Sequence, residues 1–325
     1  MTMKAYILTA TGPAFAEIAV PKPGPNDVLV RVRAAALNRV DLAMMRGHIH
    51  GGAGGTGNAL GVEWAGEVVE TGDAVQGLKP GDKVMCSGAG AFAEYAVTDF
   101  GRVLPLPDAA MTWTQAAALP VALQTMHDAV VTNGALAPGQ WVLIQGASSG
   151  VGLMGLMIAR AMGAALVIGS STDATRRARL TECGAHLAID SRDPGWVQQV
   201  LDSTAGKGVD LIVDQVSGAG MNANMAATRI GGRIVNVGRL GGDKAEFNFD
   251  LHALRRLTYV GVTFRTRGRA EVRETNRRMQ ADLWDTLASG GLRLPVDRVF
   301  AFEDIADALA HMKANRHFGK IAVTP

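Results

Sequence analysis

The sequence WVLIQGASSGVG, residues 141–152, carries the clearest indication of how this chain folds. Trp141–Gln145 is an apolar run of strand length, and a second apolar stretch of helical length begins at Val151. Glycine between a strand and a helix permits a tight turn, and the free N–H groups and dipole of the helix favour a pyrophosphate. The stretch therefore predicts a dinucleotide-binding turn. The alternative is a tight strand–helix turn that holds no ligand.

The turn matches the dinucleotide fingerprint only in part. Aligned on G-x-G-x-x-G, Ala147 and Ser149 replace the first two glycines, and Gly152 fits. The predicted cofactor contacts of the turn are Gly146, Ala147, Ser148, Ser149, Gly150, Val151 and Gly152. The turn also resembles the glycine motif of short-chain dehydrogenases. Those enzymes open with the motif and use Tyr-x-x-x-Lys, whereas here the motif lies mid-chain and no tyrosine has lysine four residues later. That rival is rejected.

Strand-length and helix-length segments alternate after this turn, which predicts a parallel sheet covered on both faces. The predicted strands are Trp141–Gln145, Ala165–Gly169, His186–Asp190, Val209–Val216 and Arg233–Val237. The predicted helices are Val151–Met162, Asp173–Cys183, Pro194–Ser203 and Gly220–Arg229. The first hundred or so residues read instead as short strands and turns, and His50–Gly57 is predicted to be a mobile surface loop because it is rich in glycine.

Length and composition narrow the classes of function. A chain of 325 residues suggests two domains, and a net charge of +2 without basic runs argues against nucleic-acid binding. Two distant cysteines, Cys86 and Cys183, make no disulfide framework and suit a reduced, cytoplasmic protein. The start of the chain lacks the pattern of a signal peptide, and the uncharged stretch between Gln140 and Arg160 is interrupted by a polar turn, so no membrane association is expected.

The residues at the end of the second predicted strand indicate whether the chain binds NAD or NADPH. An acidic residue there would hold the ribose 2′-hydroxyl of NAD and repel a 2′-phosphate. This chain has Ser170 and Ser171 instead, with Arg176 and Arg177 one turn into the next helix. Hydroxyl and guanidinium groups suit a phosphate dianion, so Ser170, Ser171 and Arg176 predict NADPH. The alternative is a serine-rich helix cap followed by solvated arginines.

Motifs spread over nearly the whole chain resemble the zinc-independent quinone oxidoreductase branch of the medium-chain dehydrogenase/reductase superfamily. They occur in the family's order and at appropriate separations. The matching motifs are Pro23–Pro25, Ala36–Asp41, Gly61–Gly66, Gly81–Val84, Phe92–Tyr95, Ala116–Val121 and His317–Ile321. The resemblance implies an α/β protein with a mainly-β, GroES-like catalytic domain, residues 1–118 and 260–325. A Rossmann domain with a doubly wound parallel sheet, residues 119–259, would be inserted into it. The cofactor would lie in the cleft between them, and relatives are commonly homodimers, or tetramers in some branches.

Zinc is not expected. Zinc alcohol dehydrogenases have a cysteine where this chain has Asn38 and a histidine where it has Val62; valine cannot ligate zinc and asparagine ligates it poorly. Without a Lewis acid, oxidation of an alcohol loses the means of acidifying the hydroxyl. Reduction of an electrophilic acceptor needs no such help.

The resemblance therefore implies hydride transfer from NADPH to a small apolar acceptor, a quinone in the first instance. It implies three catalytic residues: Asn38 near the nicotinamide or the acceptor oxygen, Thr125 at the carboxamide, and Arg265 at a developing oxyanion. The remaining cofactor contacts that it implies are Val216, Asn236, Val237, Gly238, Phe264, Phe318 and Lys320. Asn38 serving only a turn, and Thr125 being an ordinary helix residue, are the alternatives.

One departure leaves the acceptor open. Many quinone oxidoreductases have a tyrosine where this chain has Ile49. An enone or 2-alkenal reductase on the same scaffold is therefore the nearest alternative, and an NADPH-binding sensor or structural protein with little turnover is the alternative of another class. Glu63 and Asp41 are predicted to be buried structural acids, paired with Arg39 or Arg46.

Overall fold

The computed structural model describes residues 1–108 and 110–325. Its backbone contacts divide it into two compact units. Unit 1 contains residues Met1–Val121 and Phe264–Pro325, and unit 2 contains Ala122–Thr263. The sequence-based boundaries, after residues 118 and 259, fall a few residues before these. Helix α3, Pro120–His127, spans the first boundary.

Unit 2 is an α/β unit in which a six-stranded parallel sheet carries the helices between its strands. Its strands are β8 Trp141–Gln145, β9 Leu166–Ser170, β10 Leu187–Ile189, β11 Val209–Asp214, β12 Thr228–Asn236 and β13 Thr258–Gly261. Its helices are α4 Gly150–Ala161, α5 Ala174–Ala178, α6 Trp196–Ser203, α7 Met221–Ala227 and α8 Phe249–Leu254. A π-helix, Asp128–Thr132, and 3-10 turns at Leu180–Cys183 and Gly218–Gly220 complete it.

The strand order of this sheet is β10-β9-β8-β11-β12-β13, and every neighbouring pair is parallel. The order reverses between β8 and β11, so the carboxyl ends of these two strands form the switch point at which doubly wound sheets bind ligands. Buried Leu143, Ile168, Ile212 and Ile234 hold the sheet to its helices.

Unit 1 is mainly antiparallel β-structure. Its strands are β1 Thr2–Thr9, β2 Gly12–Ala19, β3 Asp27–Ala36, β4 Glu63–Thr71, β5 Lys83–Ser87, β6 Tyr95–Asp99, β7 Val103–Pro105, β14 Val296–Ala301 and β15 Lys320–Thr324. Its helices are α1 Arg39–Met44, α2 Trp113–Ala117, α9 Arg269–Ala288 and α10 Ile305–Lys313, with 3-10 turns at Phe100–Arg102 and Phe302–Asp304.

The main sheet of unit 1 joins strands from both ends of the sequence. The order is β14-β15-β3-β4-β5-β7, β6 pairs with β3, and β1 and β2 form a separate hairpin. β15 therefore lies beside β3, antiparallel to it. Trp64 and Phe92, both fully buried, lie in the core under this sheet.

Several element boundaries differ from the sequence-based ones. The helix predicted over Asp173–Cys183 is two short pieces, α5 and the 3-10 turn Leu180–Cys183. β12 begins at Thr228, where the sequence predicted the end of a helix, because Thr228 already pairs with Val209 of β11. The register then shifts before Arg233 pairs with Leu211, and Gly231 between them is left-handed, φ +72°. The segment His50–Gly57 lies only partly at the surface, since Ala53 is buried in the unit 1 core.

Candidate active site

The glycine turn follows β8 and caps α4. Gly146 adopts φ +70°, a left-handed conformation that favours glycine. The Ser149 hydroxyl accepts a hydrogen bond from the Gly152 N–H at 3.0 Å, which makes Ser149 the N-cap of α4. A Cβ at position 152 would lie 2.7 Å from the Ala147 Cα and from the Gly146 oxygen. The helix thus approaches the turn as closely as only glycine allows, the packing that dinucleotide-binding turns require.

A chain of buried side chains supports the turn at the carboxyl ends of three neighbouring strands. Ser170 Oγ donates to Gln145 Oε1 at 2.5 Å, and Gln145 Nε2 donates to Asn224 Oδ1 at 2.8 Å. Asn224 Nδ2 donates to Asp214 Oδ2 at 2.9 Å, and Asp214 Oδ1 accepts from the Ser217 N–H at 2.9 Å. Burial raises the pKa of Asp214, while these bonds lower it in part. This series of hydrogen bonds fixes β9, β8 and β11 relative to one another at the switch point.

Two residues of this hydrogen-bond series, Asp214 and Asn224, were not predicted from the sequence to belong to the site. The available signal was a polar residue at the end of an apolar strand, since Asp214 closes the run that begins at Val209. A second polar link was also missed, because Gln215 accepts from Ser149 Oγ at 3.2 Å and donates to the Gln145 carbonyl at 3.1 Å. Asp214, Asn224 and Gln215 support the turn, and none of these three was predicted as a cofactor contact.

The end of β9 carries two buried serines with different surroundings. Ser170 Oγ also accepts from the Gly146 N–H at 3.0 Å, so this hydroxyl serves the turn itself. Ser171 Oγ donates to Ser148 Oγ at 3.1 Å, which brings together two hydroxyls predicted to contact the cofactor. The cap of the next helix is Asp173, whose carboxylate accepts from the Arg176 N–H at 2.8 Å. The serine-rich cap considered as an alternative is therefore wrong.

Three arginines surround this strand end. Arg177 donates to the Ser171 carbonyl at 2.9 Å and pairs with Asp190 at 3.0 Å. Arg192, which was not singled out from the sequence, donates to the Thr172 carbonyl. The Arg176 side chain is only 14% exposed, and its Nε lies 3.7 Å from the Asp173 carboxylate. Arg192 also lies 3.6 Å from the Asp190 carboxylate. Three arginines thus face two aspartates, Asp173 and Asp190, so the edge of unit 2 beyond Ser171 carries one net positive charge.

The other predicted contacts in unit 2 follow β11 and β12. The Val237 N–H donates to the Asp214 carbonyl at 2.8 Å, and a Cβ at Gly238 would lie 2.5 Å from the Gln215 oxygen. Asn236 Nδ2 donates to the Gly238 carbonyl at 3.2 Å. Val216 lies in the same loop. Val216, Asn236, Val237 and Gly238 therefore lie with the glycine turn at one edge of one sheet. Thr125, the remaining predicted residue of unit 2, is half-buried in α3.

In unit 1, Asn38 belongs to a buried polar cluster, which we call the Asn38 cluster: Asn38, Asp41, Glu63 and Lys320, exposed by 8%, 0%, 0% and 3%. Asn38 Nδ2 donates to Glu63 Oε1 at 2.8 Å. Lys320 Nζ donates to Asn38 Oδ1 at 3.0 Å and is ion-paired with Glu63. Glu63 Oε2 accepts from the Val121 N–H at 2.9 Å.

Asp41 has the most unusual environment of the cluster. Its Oδ2 accepts from the Asn38 backbone N–H at 2.7 Å, while its buried Oδ1 has no hydrogen-bond partner among the described residues. Burial raises the pKa of Asp41 to about 7, and the nearby Glu63 carboxylate adds to the rise, although the Asn38 N–H and Lys320 oppose it. Asp41 therefore changes charge close to neutral pH.

The prediction that Glu63 and Asp41 are buried acids is confirmed, but the predicted partners are wrong. Lys320 pairs with Glu63, whereas Arg39 points to the surface and donates to Asn315 Oδ1 at 2.5 Å. The reason is topological: Lys320 opens β15, which lies beside β3, and Asn38 follows β3. Sequence spacing cannot show that pairing.

The remaining predicted residues of unit 1 are dispersed. Arg265 is exposed. The centroid of the Phe264 ring lies 4.8 Å from Arg267 Cζ. Phe318 is buried, and its N–H donates to the Asp297 carboxylate at 3.1 Å. His50, which opens the segment predicted to be a surface loop, is half-buried; burial lowers its pKa, and Arg265 and Arg102 lower it further. The predicted roles of Arg265, Phe264 and Phe318 stay predictions.

A catalytic zinc does not fit the residues present. Val62 offers no donor atom, and both polar ends of the Asn38 carboxamide are engaged by Glu63 and Lys320. The Lys320 ammonium already supplies a positive charge to the Glu63 carboxylate. Over residues 1–108 and 110–325, no group of three or more His, Cys, Asp and Glu side chains is placed to hold a metal ion. Over the same residues, no helix has the length and apolar character needed to cross a membrane.

Two domain families match this chain. The alcohol dehydrogenase GroES-like domain matches residues 24–108, and the zinc-binding dehydrogenase family matches residues 150–281. The chain is 30% identical to the quinone oxidoreductase of Rattus norvegicus over 228 residues, which cover 68% of this chain and 67% of that one. Among solved structures, the quinone oxidoreductase of Pseudomonas syringae pv. tomato DC3000 matches with a TM-score of 0.86 and 26% identity, covering each chain completely.

A longer relative also matches. The chain is 29% identical over 308 residues to a phenolphthiocerol/phthiocerol polyketide synthase of Mycobacterium tuberculosis, and the match covers 95% of this chain. The chain spans only 14% of the length of that polyketide synthase. The match therefore concerns one portion of a much larger protein. The predicted fold class, a GroES-like unit with an inserted Rossmann-type sheet, is confirmed.

Proposed function

Because the chain belongs to the zinc-independent quinone oxidoreductase branch of the medium-chain dehydrogenase/reductase superfamily, we propose that it is an NADPH-dependent oxidoreductase that reduces a quinone. The observation that carries the cofactor part is the edge of unit 2, where a glycine turn is followed by the Ser148–Ser171 hydroxyl pair and by arginines. The acceptor part is supported by Val62, which has no donor atom for zinc, and by Asn38, whose carboxamide is already bonded to Glu63 and Lys320.

The preference for NADPH follows from the charges at the end of β9. The Asp173 carboxylate, the nearest acid along the chain, caps α5, and that bond lowers its pKa. The Ser148 and Ser171 hydroxyls and the Arg176 guanidinium would receive the 2′-phosphate through charge-assisted hydrogen bonds. Arg177 and Arg192 add positive charge beside the carbonyls of Ser171 and Thr172. NADH gains nothing from this surplus of positive charge.

The proposed reaction takes NADPH, a proton and a quinone to NADP⁺ and a hydroquinone. When bound, the cofactor supplies the hydride. The glycine turn would hold the pyrophosphate at the N-terminus of α4. Asn38 Nδ2 has two hydrogens. One is donated to Glu63, and the other is only weakly bonded, because its nearest acceptor, the Ala36 oxygen, is 3.5 Å from Nδ2. Asn38 would donate this second hydrogen to the acceptor oxygen. Arg265 would stabilise negative charge as it develops on that oxygen.

A second candidate is reduction of an activated alkene, an enone or 2-alkenal. Ile49 stands where many quinone oxidoreductases have a tyrosine, and its side chain is 63% exposed. An aliphatic residue there removes a hydroxyl that would contact a quinone oxygen, and it favours an aliphatic acceptor. Hydride would then go to the β-carbon and a proton to the α-carbon.

We also infer a homodimer. The strand β13 is the last in its sheet, so one side of its backbone is unpaired, and Tyr259 on this strand is 44% exposed. An edge strand of this kind pairs readily with a second copy. Light scattering during size-exclusion chromatography measures the mass; a monomer would contradict the proposal, and a tetramer would extend it. We place the protein in the cytoplasm, where buried Cys86 and Cys183 stay reduced.

The decisive experiment measures oxidation of NADPH and NADH by the purified protein, with EDTA present, against one panel of quinones and enones. Fast NADPH turnover with 9,10-phenanthrenequinone, slow turnover with enones and a large loss in Asn38→Ala are expected. Turnover confined to enones would move the reaction to alkene reduction. Tight binding of NADPH without turnover of any acceptor would replace the proposal with a sensor or structural role. Lower activity with EDTA than in a parallel assay without it would contradict zinc independence.

A further inference from the structure

The orientation of the Asn38 carboxamide is fixed by the chemistry of its two neighbours. The Lys320 ammonium can only donate, so the oxygen of Asn38 faces it, at 3.0 Å. The Glu63 carboxylate accepts, so the nitrogen of Asn38 faces it, at 2.8 Å. A flipped carboxamide would place nitrogen against an ammonium and oxygen against a carboxylate. Only one of the two orientations is therefore compatible with the cluster.

The two neighbours come from opposite sides of the strand that leads to Asn38. Asn38 follows β3, and in the sheet β3 lies between β15 and β4. Lys320 is the first residue of β15, and Glu63 is the first residue of β4. Each flanking strand thus contributes one charged side chain to the residue after the central strand. The Val121 N–H holds the second oxygen of Glu63, so this acid cannot rotate away without losing another bond.

We infer that Lys320 and Glu63 are positioning residues, which fix the Asn38 carboxamide so that its weakly engaged N–H is presented to the acceptor, and that Lys320 acts through Asn38 rather than by binding the cofactor. The inference rests on the proposed function in one respect, the role of Asn38 at the acceptor. It replaces a cofactor contact for Lys320 with a different role, because the ammonium is buried and directed to two partners within unit 1.

The charges dictate which variants test this. Removing Lys320 alone leaves a buried, unpaired carboxylate, and loss of folding would then hide any effect on turnover. Glu63→Gln combined with Lys320→Met removes both charges together at similar volume. The glutamine still accepts from Asn38, but it also has an amide that can donate, so it no longer dictates the orientation. Lys313→Met, at an exposed lysine of α10, is the matched control.

The experiment is a double-mutant cycle between Asn38→Ala and the pair Glu63→Gln/Lys320→Met. We expect the charge-free pair to lower kcat by about 10- to 100-fold, as a misoriented catalytic contact does. The dissociation constant of NADPH, from calorimetry, should change by less than about twofold, since no cofactor contact is lost. Adding Asn38→Ala to the pair should lower kcat by no more than about twofold further, because the losses arise from one interaction. Lys313→Met should match the wild type.

Three results would overturn the inference. The first is a triple variant in which the losses in kcat multiply, because Asn38 and the charged pair would then act independently. The second is a paired variant that keeps the wild-type kcat. The third is a rise of about tenfold or more in the NADPH dissociation constant with kcat unchanged, which would return Lys320 to the cofactor.

A second readout does not depend on turnover, and it separates this inference from the proposed function. In protein labelled with ¹⁵N-asparagine, the side-chain amide signals of Asn38 are those absent from Asn38→Ala. Their hydrogens should exchange at least about tenfold faster in the paired variant than in the wild type, because the fixed orientation is lost. Equal exchange rates would overturn the positioning role. A wild-type protein that reduces no acceptor would sink the proposed function alone.

Discussion

The hydroxyl of Ser171 donates to the hydroxyl of Ser148 at 3.1 Å, so the end of β9 is hydrogen-bonded to the glycine turn after β8. Two segments more than twenty residues apart therefore present their hydroxyls at one place. Because each hydroxyl keeps further hydrogen-bonding capacity, the pair can accept or donate to a phosphate oxygen. Discrimination between the two nicotinamide cofactors should depend on this place.

Ser171→Asp should reverse the cofactor preference. The new carboxylate would repel a 2′-phosphate but accept from a 2′-hydroxyl, so kcat/KM for NADPH should fall by about 100-fold, since like charges in close contact cost several kcal/mol. The value for NADH should change by less than about threefold. Steady-state kinetics with both cofactors check this, and Ser203→Asp, on the exposed end of α6, is the control. An equal loss for both cofactors would indicate a damaged turn instead.

Arg176→Gln should weaken NADPH selectively. A charge-assisted hydrogen bond contributes about 1.5–3 kcal/mol, so the KM for NADPH should rise by about tenfold or more while that for NADH is unchanged. Arg179→Gln serves as the comparison, because Arg179 lies one turn further along, pairs with Glu182 and is more exposed. If both arginine variants behave alike, the phosphate is held elsewhere, with Arg192 the next residue to test.

Gly152→Ala should disturb the turn, whereas Gly155→Ala, one turn later in α4, should not. A Cβ at 152 meets backbone atoms at 2.7 Å, but a Cβ at 155 meets the flexible Met126 side chain, with Sδ at 3.1 Å. We expect Gly152→Ala to lower the free energy of unfolding by about 2–3 kcal/mol, as overpacking does. Gly155→Ala should stay within about 1 kcal/mol, because the higher helix propensity of alanine offsets the contact. Urea denaturation measures both, and similar losses would contradict the geometry.

Asp41→Asn should remove a pH dependence of stability. The pKa of Asp41 is about 7 in the folded protein and 3.8 as its ordinary value, so between these pH values the folded state binds more protons than the unfolded state. The free energy of unfolding therefore falls as pH rises through this window, by up to about 4 kcal/mol. Asparagine keeps an oxygen acceptor for the Asn38 N–H and never ionises.

Urea denaturation at several pH values compares Asp41→Asn with the wild type. Relative to the wild type, the variant should gain stability as pH rises from about 4 to about 7 and hold that gain above it. Asp307→Asn, at an exposed position of α10, should follow the wild-type curve. Parallel curves for Asp41→Asn and the wild type would mean that Asp41 ionises normally.

Local patterns in the sequence predicted unit 2 well. β8 has the predicted bounds because its apolar run ends where Gly146 turns the chain, and both signals are local. α4 begins one residue earlier than predicted, at Gly150, since Ser149 rather than Gly150 is the cap. The helix after β9 was predicted too long, because the pattern of its side chains does not show that the chain tightens after Arg179.

The Asn38 cluster was beyond local reasoning. Asn38 and Glu63 were both singled out, yet the pairing of Glu63 with Lys320 depends on β15 lying beside β3, a contact across more than 250 positions. Charge complementarity alone favoured Arg39 and Arg46, which are nearer in the sequence, as partners of the two acids, and that prediction was wrong. The hydrogen-bond chain through Asp214 and Asn224 was missed for the same reason, because it links side chains from a strand and a helix.

The position of β15 between β14 and β3 has a consequence for how the nascent chain matures. Unit 2 is continuous in sequence and can fold as soon as the ribosome has released it. Unit 1 cannot, because the Ala35–Ala36 end of β3, with which β6 does not pair, keeps an open edge until Lys320–Thr324 emerges, about 200 residues after Val121. Throughout that interval the Glu63 carboxylate lacks the Lys320 ammonium with which it pairs in the folded protein. β3 is thus synthesised early and is among the last strands to gain all its partners.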